Sequence, residues 1–450
     1  MATLVTDNPV TAASGEAGLV AFITTQVVPW AKKSFLAILD QGLISGSNFL
    51  TSILLARWLA PDQYGSYAVA FAIFILLSLI YLALLLEPMS VFGGSSYSRG
   101  LWEYTRVLLW LQLGITLLIV AILGAVTLAV WRFVPTGGLA GALAGVTLAA
   151  PCLFLFWLAR RAYYLELSPA RAVRGAAFYC GLVLIGLFVL YEKSRLSPFT
   201  AFLLFACAAL LTSCFLFYEL RRLLPSDGTK LSTRHIWSRH WTYGRWALAT
   251  SVASWIPVYI YYPLLSSLHG MSYSGQLRAV MNFTSPIEQT QIALAMLFLP
   301  YAARVQGGKP GGKSTWRLAG KLAMVLVLVT AAYWGTVLLL QKHLLQLLYS
   351  GKYMQVAPLL RVVAIGSIFW SAAYGLAVLL RAMESPALIF VAYSSAMVVS
   401  LLVGIPASRV LGVAGGIWGI NVSDVVSFVI VALLLHRKIK ANTRAVPVCA

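Results

Sequence analysis

Gln41, Ser45, Asn48 and Ser52 recur at intervals of four, three and four residues, a spacing that puts all four on one face of a helix. Asp40, Ser47 and Thr51 stand beside them. A second stripe, Arg278, Asn282, Ser285 and Gln289, has the same spacing and is flanked by Glu288 and Gln291. Smaller polar groups are Thr250, Ser251, Ser254 and Tyr262, and Asn421, Asp424 and Ser427. All of them interrupt long apolar runs. Single Ser, Asn or Gln residues in such runs tie helices together by hydrogen bonds. A whole stripe ending in charge instead points to a wet cavity.

Five charges are embedded in the apolar runs: Asp40, Arg278, Glu288, Arg361 and Asp424. An ionised group at mid-bilayer costs roughly 2.5–3.5 kcal/mol or more, so each calls for water, a partner or a substrate. Arg278 and Arg361 lie a short way inside one boundary. They either snorkel to it or form an electropositive wall whose guanidinium groups hold phosphate oxygens in bidentate fashion. Asp40, Glu288 and Asp424 either pair with the arginines or bind a proton or Na⁺ whose gradient drives transport.

No catalytic residues and no metal or other cofactor are expected. The five histidines are scattered without an HExxH pair, no DxD-like acidic pair occurs, and the cysteines lack metal or redox spacing. Residues 307–314, Gly-Gly-Lys-Pro-Gly-Gly-Lys-Ser, match GxxxxGK[ST] formally. A working P-loop joins a buried strand to a helix inside an α/β domain, and a connection of about 20 residues after a membrane helix leaves no room for one. Gly412–Gly419 reads as close helix packing instead of a dinucleotide loop.

The elements that must carry these residues follow from composition. Of 450 residues 60% are hydrophobic and only 10% are charged, against roughly 25% in soluble domains. The chain is expected to be an all-α polytopic membrane protein, since long unbroken apolar runs exclude a β-barrel. Twelve spans can be cut near 34–56, 64–86, 107–131, 139–159, 175–191, 199–218, 246–266, 275–299, 318–340, 356–380, 386–408 and 411–435. With the N-terminus inside, the inner connections hold 24 Lys and Arg and the outer ones 7. That asymmetry predicts cytoplasmic N- and C-termini, and it explains the net charge of +20 without nucleic acid as a partner. Residues 17–30 are apolar but short, and suggest an interfacial helix on the membrane lipids.

The division expected is a cytoplasmic or interfacial N-terminus over 1–33, a six-helix lobe over 34–218, a basic linker over 219–245, a second six-helix lobe over 246–436 and a cytoplasmic tail over 437–450. Similar punctuation precedes spans two and eight, Asp62-Gln63-Tyr64-Gly65 and Ser272-Tyr273-Ser274-Gly275, as internal repeats in transporters do. Pro257 and Pro286 should bend spans seven and eight.

Asp40-Gln41-Gly42-Leu43, Ser47-Asn48-Phe49, Leu54 through Pro61 and Tyr64-Gly65 resemble the opening of bacterial polysaccharide flippases of the multidrug/oligosaccharidyl-lipid/polysaccharide exporter superfamily. Arg160-Arg161-Ala162-Tyr163-Tyr164, Leu277-Arg278-Ala279 through Leu299-Pro300, Leu348 through Tyr353 and Gly412-Val413-Ala414-Gly415 extend the resemblance over nearly the whole membrane region. It implies a V-shaped, MATE-like pair of six-helix lobes around a central cavity lined by helices one, two, seven and eight. The implied activity is moving a polyprenyl-pyrophosphate-linked oligosaccharide, or a related glycan, from the cytoplasmic to the outer leaflet of the bacterial inner membrane. A polysaccharide polymerase and other assembly proteins are the implied partners.

The substrate-binding set is then Arg278, Arg361, Arg57, Asn48, Asn282 and Gln289, and the ion-coupling or charge-pairing set Asp40, Glu288 and Asp424. The membrane arginines cluster in the outer half whereas loading starts from inside. Initial capture therefore falls to inner-mouth groups such as Arg106, Arg160, Arg161, Arg174 or Arg245. The rival readings are a cation-coupled multidrug antiporter of the same superfamily and a non-transporting scaffold for polysaccharide synthesis.

Overall fold

Prolines open the helices and backbone reversals close them. Pro61, Pro169, Pro198 and Pro386 each occupy one of the first two helical positions, where the missing N–H has no intrahelical partner to lose. Gly270 and Gly412, with φ of 101° and 56°, separate successive helices at two of the sharpest corners. A computed structural model describes residues 28–98, 100–133, 138–224, 228, 231–307, 312–383 and 385–444. The interfacial helix expected over 17–30 lies outside them except for residues 28–30, as do Cys449 and residues 308–311 of the P-loop-like run.

Among the described residues the chain is helical with no strand. The helices are α1 (Val28–Trp58), α2 (Pro61–Gly94), α3 (Leu101–Phe133), α4 (Leu139–Leu165), α5 (Pro169–Glu192), α6 (Pro198–Leu223) and α7 (Thr233–His269). They continue with α8, built of Met271–Met281, the tight turn Asn282–Thr284 and Ser285–Gly307, then α9 (Gly312–Tyr349), α10 (Leu359–Ala382), α11 (Pro386–Leu411) and α12 (Val413–Arg444). In the first half α4 packs on α6 and α1 on α5; in the second α12 packs on α10 and α11. Residues 233–245 are the first turns of α7.

Among the described residues ten helices are long and apolar enough to cross a membrane. The two outside that set are α1 and α8, the carriers of the polar stripes. Length is not the reason, since α1 has 31 residues and a helix rises about 1.5 Å per residue. Their polarity is.

Three helices are interrupted, each next to a proline. α7 breaks at Ile260 after Pro257, and α8 tightens over Asn282–Thr284 just before Pro286. α2 widens into a π-helical stretch over Leu82–Leu86 ahead of Pro88, a bend that patterning did not signal. Pro88 cannot bond the carbonyl of Leu84, and that carbonyl instead accepts from His240 Nδ1 of α7 at 3.0 Å. The tautomer follows. With Nδ1 carrying the proton, Nε2 accepts from the Tyr104 hydroxyl at 2.7 Å.

Candidate translocation site between the lobes

The end of the molecule carrying Pro61 and Met271 is the one that the Lys and Arg count assigns to the outside, and is called the outer end below. Here α2 and α8 meet backbone to backbone. A Cβ on Gly65 would overlap the Met271 carbonyl, and one on Gly275 would sit 2.9 Å from the Pro61 carbonyl. Glycine at both positions is what permits the approach.

That approach brings the two stripes into register. Ser52 Oγ donates to Asn282 Oδ1 at 2.8 Å. Asn282 Nδ2 donates to the hydroxyls of Tyr64 at 3.0 Å and Tyr349 at 3.2 Å, and Tyr349 donates in turn to the Ala279 carbonyl at 2.9 Å. Each polar group in this buried knot has a partner, as burial demands. Arg278 extends from α8 onto the first lobe. Its Nε donates to Ser52 Oγ at 3.4 Å and its guanidinium lies 4.3 Å from the centre of the Phe71 ring. Tyr64, Tyr67, Tyr259 and Tyr262 surround it. Neither of the ion pairs among the described residues includes it.

Nearer the outer rim the chain reverses after α9 through Ser350 and Gly351, both at positive φ, and presents Lys352 to the end of α1. Lys352 Nζ donates to the carbonyls of Arg57 at 2.6 Å and Leu59 at 2.9 Å. These carbonyls are left over at a helix C-terminus, where a cation is favoured. Arg57 answers by donating to the Leu347 carbonyl at 2.6 Å.

Toward the inner end the stripes part. Ser45 donates to Gln289 at 3.0 Å. Gln41 and Asn48, on the same helical face as Ser45, are exposed, as are Ser254 of α7 and Thr290 of α8. Toward this end α7 joins the lobes: Trp255 Nε1 donates to the Ala72 carbonyl at 2.9 Å, Gly244 abuts the Ala83 and Leu84 backbone, and Arg239 lies over Phe92. The apolar core repeats this pattern. One continuous cluster runs through the first lobe and on through Tyr261, Leu277, Trp334 and Tyr349, while Ala302, Leu318, Leu379 and Ile439 form a separate one at the inner end of the second lobe.

The carboxylates divide between the lobes. Asp40 faces away from the stripe, buried within the first lobe, where it accepts from Arg160 and, at 2.6 Å, from the Tyr164 hydroxyl. Glu288 and Asp424 both belong to the second lobe, on α8 and α12, and neither of the ion pairs among the described residues includes them. Gly366 makes the room: a Cβ there would collide with the Asn421 side chain and come within 3.2 Å of Asp424 Oδ2. Arg278 is the cation nearest Glu288 in electrostatic terms.

Of the residues that spacing singled out, Arg278, Asn282 and Gln289 thus share one seam. Asn48 lies beside it, exposed. Arg57 and Arg361 are exposed, Arg57 on the outer rim and Arg361 in the first turn of α10, neither bonded to the knot around Arg278. Arg160, an expected capture group, is held by Asp40. The seam residues that the stripes did not include are Tyr64, Tyr349 and Lys352. Their signal lay in the motifs that carry the resemblance, Tyr64-Gly65 and Leu348 through Tyr353; spacing missed them because a tyrosine in an apolar run looks like any core aromatic. Gln291 turns out to tie helices: it donates to Thr330 at 2.6 Å and also to Ser371. The described cysteines are free, and no cluster among the described residues could hold a metal ion.

No family model matches the chain, and no curated protein does. Solved structures do. The chain is similar to an inward-facing multidrug-resistance MATE family transporter of the MOP superfamily, with TM-score 0.75 at 13% identity over 91% of this chain and 100% of that one. It is similar to an outward-facing transporter of the same description, with TM-score 0.62 at 14% identity over 93% and 96%. The lipid II flippase MurJ in an inward closed conformation gives TM-score 0.67 at 13% identity over 93% and 91%. The chain has the MOP superfamily transporter fold, an all-α membrane fold. Its neighbours of that fold are transporters and flippases, not enzymes.

Proposed function

We propose that the protein is a flippase that moves a lipid-linked, phosphate-bearing glycan from the cytoplasmic to the outer leaflet by alternating access. The observation that carries this reading is Arg278, a cation with no acidic partner among the described ion pairs, standing where the two lobes meet and above the gap between their inner halves. A pyrophosphate offers it charge-assisted, bidentate bonds. The phosphate-bearing, lipid-linked class of substrate is supported by this cation and by the likeness to a lipid II flippase.

In the outer-closed arrangement the guanidinium is engaged by Ser52 and Phe71 of the opposite lobe. An anion arriving through the inner gap competes for it, and its release loosens the contact that holds the outer halves together. The higher similarity to an inward-facing than to an outward-facing transporter, 0.75 against 0.62, is in keeping with an outer seam that is shut. Glu288 and Asp424 are the groups to bind H⁺ or Na⁺, since a carboxylate within a membrane span calls for a cation. The protein sits in the bacterial cytoplasmic membrane with both termini inside, supplying a polymerase on the far side.

The test is leaflet-resolved movement of a defined polyprenyl-pyrophosphate oligosaccharide in proteoliposomes, with and without pH and Na⁺ gradients. Arg278→Ala should abolish movement while the protein inserts normally; unchanged rates would refute the assignment. The MATE likeness favours a multidrug antiporter as second reading. It predicts gradient-driven movement of organic cations and none of the glycan.

A further inference from the structure

At the inner end of the second lobe, outside the seam, the start of α9 and the end of α12 line an open, shallow pocket of about 430 Å³ formed by Gly312, Lys313, Trp316, Arg317, His436, Ile439 and Lys440. Its chemistry is two-sided. Ile439 is buried at its base, and Trp316 and His436 face each other with ring centres 5.9 Å apart. Lys313, Arg317 and Lys440 are exposed around it.

Three cations brought together repel one another unless an anion joins them. The chain supplies none nearby in sequence: no Asp or Glu occurs between residues 289 and 383 or after Asp424. Neither ion pair among the described residues involves this cluster. The space is also too large for a bare ion, with room for on the order of a dozen waters. An apolar floor, a tryptophan and a cationic rim at a membrane boundary match the chemistry of a phosphate carried on a larger, partly apolar group.

We propose that this pocket binds a phosphate-bearing group, with the phosphate held by Lys313, Arg317 and Lys440 and the attached moiety against Trp316 and Ile439. Lys313 is the lysine of the P-loop-like run. It would thus meet phosphate as a point charge at a helix start, without the strand and nucleotide-binding domain of a true P-loop. The site is independent of the transport reading, because it lies away from Arg278. Occupancy by an anionic lipid would anchor the ends of α9 and α12 to the inner leaflet.

The experiment uses the purified full-length protein and native mass spectrometry, titrating short-chain phosphatidylglycerol, phosphatidylcholine and inorganic phosphate. The variants are Lys313→Gln/Arg317→Gln/Lys440→Gln, a charge-matched control Arg221→Gln/Arg222→Gln/Arg234→Gln at exposed positions outside the pocket, and Gly312→Phe, which fills the pocket and keeps every charge. Each interfacial cation contributes about fivefold in affinity, so the triple variant should bind phosphatidylglycerol roughly a hundredfold more weakly. Gly312→Phe should lose it as well, and the control should keep it. Displacement of the lipid by millimolar inorganic phosphate would identify free phosphate as the ligand; resistance to displacement would identify the lipid headgroup, and either supports phosphate recognition. Equal weakening in triple variant and control, or tight binding retained in Gly312→Phe, would overturn the proposal, as would equal affinity for phosphatidylcholine, whose choline cancels the phosphate charge and leaves the three cations no net anion to hold.

Discussion

The outer and inner ends of this molecule are built on opposite principles. At the outer end the lobes touch through backbone, at Gly65 and Gly275, and through a polar knot in which Ser52, Tyr64, Asn282 and Tyr349 saturate one another. Toward the inner end α7 carries the contact, through His240, Gly244 and Arg239, and the apolar core is split in two. The contrast teaches that polar stripes alone do not define a pathway. The same helical face makes a dry seam where glycine lets the helices close, and an exposed wall where they diverge.

The largest effect should come from a site that separates stability from closure. Asp40→Asn leaves Arg160 buried without its counter-charge, and removing one partner of a buried pair costs about 3–5 kcal/mol. The melting temperature should fall sharply while outer closure is unchanged, because both partners belong to the first lobe. A shift in outer accessibility at constant melting temperature would break the division drawn here between lobe cores and seam.

A smaller but more specific effect is expected at the outer seam. Gly65→Val forces side-chain atoms onto the Met271 carbonyl, and overpacking costs about 1–3 kcal/mol. The protein should stay folded and shift toward the outward-open arrangement. A single cysteine at Asn282, buried in the knot, would then react with an impermeant reagent added outside about tenfold faster or more, since 1.4 kcal/mol is a factor of ten. No change in reactivity would mean that the glycine contact does not govern closure.

The smallest effect belongs to the rim. Lys352→Gln removes two exposed bonds to the end of α1, worth less than about 1 kcal/mol because water screens them. The same cysteine should become no more than about fivefold more reactive. A larger change would move the main latch from the glycine contact to the rim.

Much of this was legible before any coordinates. Helix positions follow from prolines at 61, 169, 198 and 386 and from apolar length, and the breaks in α7 and α8 fall beside Pro257 and Pro286 as expected. Arg278, Asn282 and Gln289 do share a seam with Ser45 and Ser52. The π-helical stretch of α2 was not legible, because its cause is shared between Pro88 and a histidine about 150 residues away. Nor was the direction of Asp40: one position before Gln41 is a rotation of about 100° around a helix, enough to turn it from the seam into the first lobe.

What the sequence by itself determined is which stretches are helices, which of them are too polar to meet lipid on every face, and where each can bend. Those properties depend on periodicity, hydropathy and proline, all of which act over a few turns. Only the tertiary structure decided which partner each polar face meets. Pairings such as Ser52 with Asn282, Lys352 with the end of α1, and Arg160 with Asp40 depend on how whole helices rotate and cross, and close packing at Gly65, Gly275 and Gly366 sets those angles.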